Sequence, residues 1–303
     1  MWTFKRIDNK PIDETKISQY EEALNIALNS SVANPCFSNY FVKESIGGLP
    51  CGNLEYGLCQ ALHGEECAIA AFRSINNNEK SGVVIGIIAG DSGNVATPCG
   101  NCRDILRQNL RMDLEIVSGS ANGGIAIVAT MRDYLFETFK DVTIDTSINR
   151  EIQETIHEGK RLTNDAYSPN IYSERIYFAL IVTEKNKFFG AHDIMCDYHP
   201  IYALRDAIRQ ARRTNDPFIK YVIIVSEDAF PDVMYKDRQH LLELNLQAEL
   251  LTGREQDPVI YLATSKGNVV TTTVKEWLPL PFNPRNFGPE FVNHLTKYYS
   301  DKL

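Results

Sequence analysis

Hydrophobic positions recur along this chain in two alternating rhythms. Residues 13–31, IDETKISQYEEALNIALNS, place Ile17, Tyr20, Leu24, Ile26 and Leu28 at roughly helical spacing, with Asp13 as an N-cap, and predict an opening helix. Residues 38–56, SNYFVKESIGGLPCGNLEY, predict two strands joined at Gly47-Gly48, a pair able to adopt the positive φ of a tight hairpin turn. The pattern continues with a helix at ECAIAAFRS (66–74), a buried strand at GVVIGIIA (82–89), a helix at CRDILRQNL (102–110) and strands at LEIV and IAIVAT. Helices alternating with buried strands indicate an α/β sandwich.

The same order starts again near residue 147. INREIQETIHEGKRL reads as helix, RIYFALIVTEKNKFFGAHDI as a hairpin turning at Lys185-Asn186, PIYALRDAIRQARR as helix and YVIIVS as buried strand. HLLELNLQAELL follows as helix and PVIYLAT as strand, and even the closing segments DYLFETF (133–139) and EWLPLPF (276–282) agree. Helix, hairpin, helix, strand, helix, strand therefore occurs twice, an internal duplication with expected domains at 1–146 and 147–303. No Pro-, Gly- or Ser-rich linker separates them.

Composition narrows the chemistry. The 303 residues leave room for two domains, and 44% hydrophobic with 23% charged residues excludes disordered and fibrous classes. No apolar run has the length of a membrane span, and MWTFKRIDNKPIDETK lacks the apolar stretch of an export signal, so a cytoplasmic protein is expected. With 39 Asp+Glu against 31 Lys+Arg and a net charge of −8, a surface that grips nucleic acid is disfavoured, and a small-molecule substrate is expected. Seven cysteines, an odd number, read as reduced thiols or metal ligands.

Two short motifs carry that chemistry. His63-Gly64-Glu65 opens one expected helix and Pro98-Cys99-Gly100-Asn101-Cys102 opens the next. One imidazole and two thiolates suit Zn²⁺ and leave a fourth tetrahedral position for water, the pattern of a catalytic site. The two-residue gap lets Cys99 and Cys102 address one ion from a single helical turn, whose N-terminal dipole favours thiolates, with Arg103 as a nearby cation. Glu65 stands beside the metal without binding it, where a proton shuttle belongs. H-x-E followed by P-C-x-x-C is the signature of zinc-dependent deaminases.

The first half resembles cytidine deaminase in SNYFV (38–42), GNLEY (52–56), HGEECAIAA (63–71) and TPCGNCRDIL (97–106). The whole chain looks like the two-domain, dimeric branch of that family, in which a catalytic copy precedes a degenerate one. The resemblance implies a duplicated three-layer α/β/α fold with a mixed sheet in each half, and a homodimer. It also implies that Asn53 and Glu55 bind the ribose 3′-hydroxyl and that Tyr40 stacks on the base. An amide and a carboxylate at alternate positions of one strand would point the same way. Gly64 would present its backbone N–H, and ammonia would leave past Thr97 and Pro98. PCGNCR resembles free-nucleoside deaminases more than the P-C-x-M-C of tRNA adenosine deaminases. The chain departs from the family at Lys43-Glu44, where a small pair is usual, and at Gly64, where Ala is usual. Cys67 stands where Ser or Thr is frequent and reads as a packed helix residue.

In the second half DYHPIYALRDA (197–207) and AFPDVMYKDRQ (229–239) replace the motifs, and neither thiol survives. His192, Cys196 and His199 form an H-x3-C-x2-H cluster with no apparent fourth ligand or base, and the half reads as a scaffold. Phe139 and Phe282, in the closing segments, are expected near domain or subunit interfaces. The expected activity is zinc-dependent hydrolytic deamination of cytidine or deoxycytidine. Alternatives are a deaminase of a modified cytidine-type nucleoside or related cyclic amidine, motivated by Lys43 and Glu44, a catalytically silent binding protein, and a nucleic-acid editor, which would need a basic channel.

Overall fold

The computed structural model describes residues 1–36, 38, 40–57, 60–75, 83–90, 95–135, 150–162, 176–193, 201–226 and 230–302. The chain divides into two compact units, Met1–Phe136 with Pro279–Val292 and Glu137–Leu278 with Asn293–Leu303. The junction expected at 146/147 and Phe139 both lie outside the described residues.

The first unit contains β1 (Trp2–Arg6), α1 (Ile17–Leu28), β2 (Val42–Ile46), β3 (Leu49–Gly52), β4 (Leu54–Gly57), β5 (Gln60–Leu62), α2 (Gly64–Ile75), β6 (Val84–Ala89), α3 (Gly100–Asn109), β7 (Glu115–Gly119) and β8 (Gly124–Thr130). Its main sheet has the order β1-β8-β7-β6-β2-β3, and β4 and β5 form a separate pair. The second unit contains α4 (Arg150–Leu162), β9 (Tyr177–Thr183), β10 (Lys187–Gly190), α5 (Ala203–Arg213), β11 (Ile219–Ser226), α6 (Tyr235–Thr252), β12 (Val259–Thr264), β13 (Val269–Thr273) and α7 (Val274–Trp277); α8 (Pro289–Ser300) has its first residues assigned to the first unit and the rest to the second. Its sheet runs β10-β9-β11-β12-β13.

The duplication is explicit in this topology. β3-β2-β6-β7-β8 and β10-β9-β11-β12-β13 share one order, with a parallel pair, β6/β7 or β11/β12, flanked by antiparallel ones. β1, parallel to β8, extends only the first sheet. The fold is mixed α/β in both units.

Alternation along a strand assigns the layers. Lys43 Nζ donates to Leu28 O at the C-terminal end of α1 (3.1 Å) and Ser45 Oγ to Ala23 O (2.7 Å), so one face of β2 meets α1. Glu44, between them, faces Gly64 of α2 on the other side. In the second unit, Ile152 and Ile156 of α4 pack with Phe178, Leu180, Val182, Ile223 and Val225. On the opposite face, a Cβ on Gly190 would lie 1.9 Å from Ala203 O, so only glycine lets α5 sit on β10. Strands covered on both faces read as continuous apolar runs rather than alternating ones, as YFALIVT and VIGIIA do.

Three local expectations change. The opening helix begins at Ile17, after a 3₁₀ turn, Glu14–Lys16, that Asp13 caps by accepting from Thr15 N–H (3.0 Å). The hairpin turns at Gly47 and Gly48, with φ of 54° and 83°, but its second strand ends at Gly52. Residues 33 and 34 cause that break. A Cβ on Gly52 would lie 2.7 Å from Ala33 Cβ, and Asn34 takes the backbone bonds of Asn53 O (2.8 Å) and Glu55 N (3.1 Å). Asn53 thus sits between strands, and Asn53 and Glu55 do not alternate along one. β1, β5 and β13 were not signalled by the hydrophobic pattern, and β4 was read as the continuation of the hairpin's second strand. Among the described residues no helix is long and apolar enough to cross a membrane.

Candidate active site

The site is built on two helix N-termini. His63 O accepts the first bond of α2, from Cys67 N (3.1 Å), and Cys99, the extended N-cap of α3, does the same for Arg103 N (3.0 Å). Glu66, three residues into α2, accepts from His63 N–H (2.7 Å), the returning half of a capping box. Its other oxygen accepts from Asn101 Nδ2 (2.9 Å), which braces the two N-termini together.

That brace brings His63 Nδ1 within 3.4 Å of Cys99 Sγ and 3.3 Å of Cys102 Sγ, with the two sulfurs 3.4 Å apart. Among the described residues this is the one group of His, Cys, Asp or Glu atoms drawn close enough to hold a metal ion. Tetrahedral zinc with bonds of about 2.0–2.3 Å sets its ligands about 3.3–3.8 Å apart, so the donor atoms fit. Cys102 is buried and His63 exposed, leaving one side of the cluster open. The hydrogen bond from Cys102, aided by His63, holds Cys99 well below the usual thiol range, while burial pushes Cys102 up. His63 is pushed up to about 9 by its hydrogen bond with Cys99. Such a cluster gives up protons when a cation enters.

Glu65 is buried, and its Oε2 lies 3.0 Å from Cys102 Sγ, beside the donor atoms and outside their triangle. Tyr40 is pushed up to about 12 by burial and then by the nearby Glu65. A Cβ at Gly90, whose φ is +63°, would lie 2.9 Å from the Tyr40 ring, so this glycine makes room for the tyrosine.

The segment Pro279–Val292, distant in sequence, completes this unit. Thr97 Oγ1 donates to Leu280 O (2.9 Å). Arg103, fully buried, donates to the carbonyls of Pro98 (2.8 Å), Tyr134 (2.8 Å), Pro279 and Leu280. The expectation that Arg103 serves as a cation for the thiolates is therefore replaced: its guanidinium ties down carbonyl groups. The segment brings the rings of Phe287 and Phe282 to 4.4 Å and 6.3 Å from that of Tyr40.

The remaining expected residues are placed as follows. Asn53 Oδ1 accepts from Val42 N (3.0 Å) and its Nδ2 donates to Tyr40 O (2.9 Å), so its amide fixes the approach to β2. Glu55 Oε2 accepts from Ser38 N (2.9 Å). Gly64 is buried at the start of α2, and Pro98 O is held by Arg103. Cys67 lies along α2 and outside the metal-sized cluster. Lys43 is turned to the α1 layer, away from the cluster. Glu66, Asn101 and Phe287 were missed; Glu three places after a helix cap was the legible signal for the first.

The second unit shows what stands at the same helix ends. Tyr202 caps α5 and Met234 caps α6, with matching first bonds to Asp206 N (3.0 Å) and Arg238 N (3.2 Å). Counting from the caps, Tyr202 corresponds to His63, Leu204 to Glu65, Met234 to Cys99 and Asp237 to Cys102. Asp237 is fully buried and accepts from Arg205 Nε (2.7 Å). Arg238 repeats Arg103: its Nε donates to Val233 O (3.0 Å), its Nη1 to Trp277 O (3.2 Å), and it lies over the rings of Tyr235 and Trp277. His192 is buried, accepts from Tyr177 N–H at Nε2 (3.3 Å), and stands edge-on between Tyr177 and Tyr202. Cys196 and His199 lie outside the described residues.

No protein-family model and no curated protein matches the chain. Among solved structures, the chain is similar to the 1.6 Å crystal structure of cytidine deaminase from Burkholderia pseudomallei, with 21% identity and a TM-score of 0.35 over 45% of this chain and 100% of that one. It is also similar to cytidine deaminase from Mycobacterium leprae, with 19% identity and a TM-score of 0.31 over 44% of this chain and 99% of that one.

Proposed function

We propose that the first unit is a zinc-dependent hydrolytic deaminase of cytidine or deoxycytidine. The observation that carries this reading is the convergence of His63 Nδ1, Cys99 Sγ and Cys102 Sγ beside the buried Glu65 carboxylate. A zinc ion held by those three residues would supply an acidified water as the nucleophile for C4 of the base. Glu65 accepts a proton from the attacking water and returns protons to ring N3 and to the departing amino group. Tyr40 offers its ring face to the base, and Phe282 and Phe287 close the same aromatic wall. Asn53 and Glu55 hold the ribose, Asn53 with the amide hydrogen left over after its bond to Tyr40 O.

The full chain, purified with stoichiometric zinc, should release ammonia from cytidine. Absence of ammonia across cytidine and deoxycytidine from zinc-loaded protein would overturn the reading. The departures at Glu44 and Gly64, both beside Glu65 in space, support a second reading with the same chemistry on a modified cytidine-type nucleoside or related cyclic amidine. Comparison of kcat/KM over a substrate panel separates the two.

A further inference from the structure

Glu66 has one oxygen on each side of the joint between α2 and α3. Its Oε2 accepts from the backbone N–H of His63 (2.7 Å), and its Oε1 accepts from Asn101 Nδ2 (2.9 Å). His63 carries the imidazole, and Asn101, the second residue of α3, lies between Cys99 and Cys102. One carboxylate therefore holds the backbone behind the nitrogen donor and the helical turn behind both sulfur donors. None of the three donor atoms takes part in this link. They come from segments 36 residues apart, yet all lie within 4.8 Å of one another. Side chains free to turn spread over several rotamers, so spacing of this kind needs backbones that are held.

The second unit makes the same link from the same position. Counting from the caps, Arg205 of α5 corresponds to Glu66, and its Nε donates to Asp237 Oδ1 at the start of α6 (2.7 Å). In both units the third residue after the first cap reaches across to the next helix N-terminus. The far end differs. Arg205 ends on Asp237, which stands at the position of Cys102, whereas Glu66 ends on Asn101, one place earlier. The first unit thus ties its two helix ends together while both sulfurs stay outside the tie.

We propose that Glu66 and Asn101 are positioning residues for a metal ion, whose hydrogen bond sets His63, Cys99 and Cys102 at bonding spacing before the ion arrives. Ordering that accompanies folding does not weaken binding, so a site held in this way binds its ion more tightly than one that must assemble around it. The inference rests on the three-donor part of the deaminase reading and is testable without turnover.

Chelator competition on the full chain measures affinity for Zn²⁺, and Co²⁺ supplies a visible signal from its sulfur ligands. Asn101→Ala removes the bridge, leaves the bond to His63 N–H, and should bind Zn²⁺ about tenfold more weakly. Glu66→Ala removes both bonds and should lose about ten- to a hundredfold. Glu66→Gln should stay within about threefold of wild type, because its carbonyl oxygen accepts from His63 N–H while its amide donates to Asn101 Oδ1 once that side chain flips. Metal-free, Asn101→Ala and Glu66→Gln should melt with wild type, which separates lost positioning from lost folding. Unchanged affinity in Asn101→Ala, or a loss in Glu66→Gln equal to that in Glu66→Ala, overturns the proposal. A wild-type chain without a sulfur-to-cobalt charge-transfer band overturns the three-donor site and the inference with it. A chain that binds Zn²⁺, loosens it in Asn101→Ala and releases no ammonia sustains the inference and overturns the deaminase reading alone.

Discussion

The N-termini of α3 and α6 occupy the same place in two copies of one sheet topology, and what differs between them separates scaffold from chemistry. Both keep an arginine four residues after the cap whose Nε binds the carbonyl five residues back. Both pass its other nitrogens to a carbonyl in the closing segment, Tyr134 in one and Trp277 in the other. Since Arg238 stands at a helix end whose cap is Met234 and not a thiol, the shared role is to anchor the closing segment. The proposed metal donors and base are what differ: His63, Glu65, Cys99 and Cys102 are matched by Tyr202, Leu204, Met234 and Asp237. The acid that replaces Cys102 is neutralised by Arg205, although burial still pushes Asp237 above the usual range. Where the first unit has its candidate donor set, the second has a local ion pair, and a buried leucine stands at the position of Glu65.

Copying the second unit into the first should therefore dismantle it stepwise. The largest effect belongs to Cys102→Asp, expected to reduce zinc to background by metal analysis and ammonia release by more than about a thousandfold. Stoichiometric zinc and normal turnover in that variant would break the comparison. Next, Glu65→Leu, the Leu204 state, should keep its zinc and lose about 10²- to 10⁴-fold in kcat, the range a general acid–base supplies. Loss of zinc in Glu65→Leu would instead make Glu65 part of the binding set.

The repeat and the donor set were legible because each rests on short-range sequence: helix and strand periodicity for the first, cap-adjacent His and Cys for the second. What lies between distant segments was not. Nothing near Asn53 announces that Asn34 draws the backbone out of the sheet there. Nothing near Tyr40 announces Phe287, which arrives from nearly 250 residues away on a segment held by Arg103 and Thr97. Lys43 and Glu44 look alike as departures, yet strand alternation sends Lys43 to the end of α1 and Glu44 against the start of α2.

The shared arginine sharpens the comparison from the other side. Arg103→Met and Arg238→Met each leave two or more carbonyls without their donor and should each cost about 3–5 kcal/mol in the unit concerned, measured by calorimetry on the full chain. Arg103→Met should also speed proteolysis within Pro279–Val292, because two of its carbonyl partners lie there. Equal melting of wild type and Arg238→Met would show that the second copy keeps its arginine for some other reason.

The smallest expected effect concerns the two histidines, which the units treat in opposite ways. Bonding to Cys99 raises His63, whereas burial among Tyr177 and Tyr202 lowers His192 to about 4. His192 Nε2 accepts from a backbone N–H and has no room for a proton of its own. Because the folded value lies below the unfolded one of 6.5, the unfolded chain binds the extra proton in that interval. The associated stability is intact above pH 6.5 and is lost as pH falls toward 4, about 3 kcal/mol in all for a shift of this size. Calorimetry from pH 7 to pH 4 should show this loss, and His192→Asn, which keeps an acceptor and does not titrate, should flatten that part of the curve. An unchanged slope in His192→Asn would mean that His192 keeps its ordinary basicity in the fold, and the contrast between the two histidines would then fail.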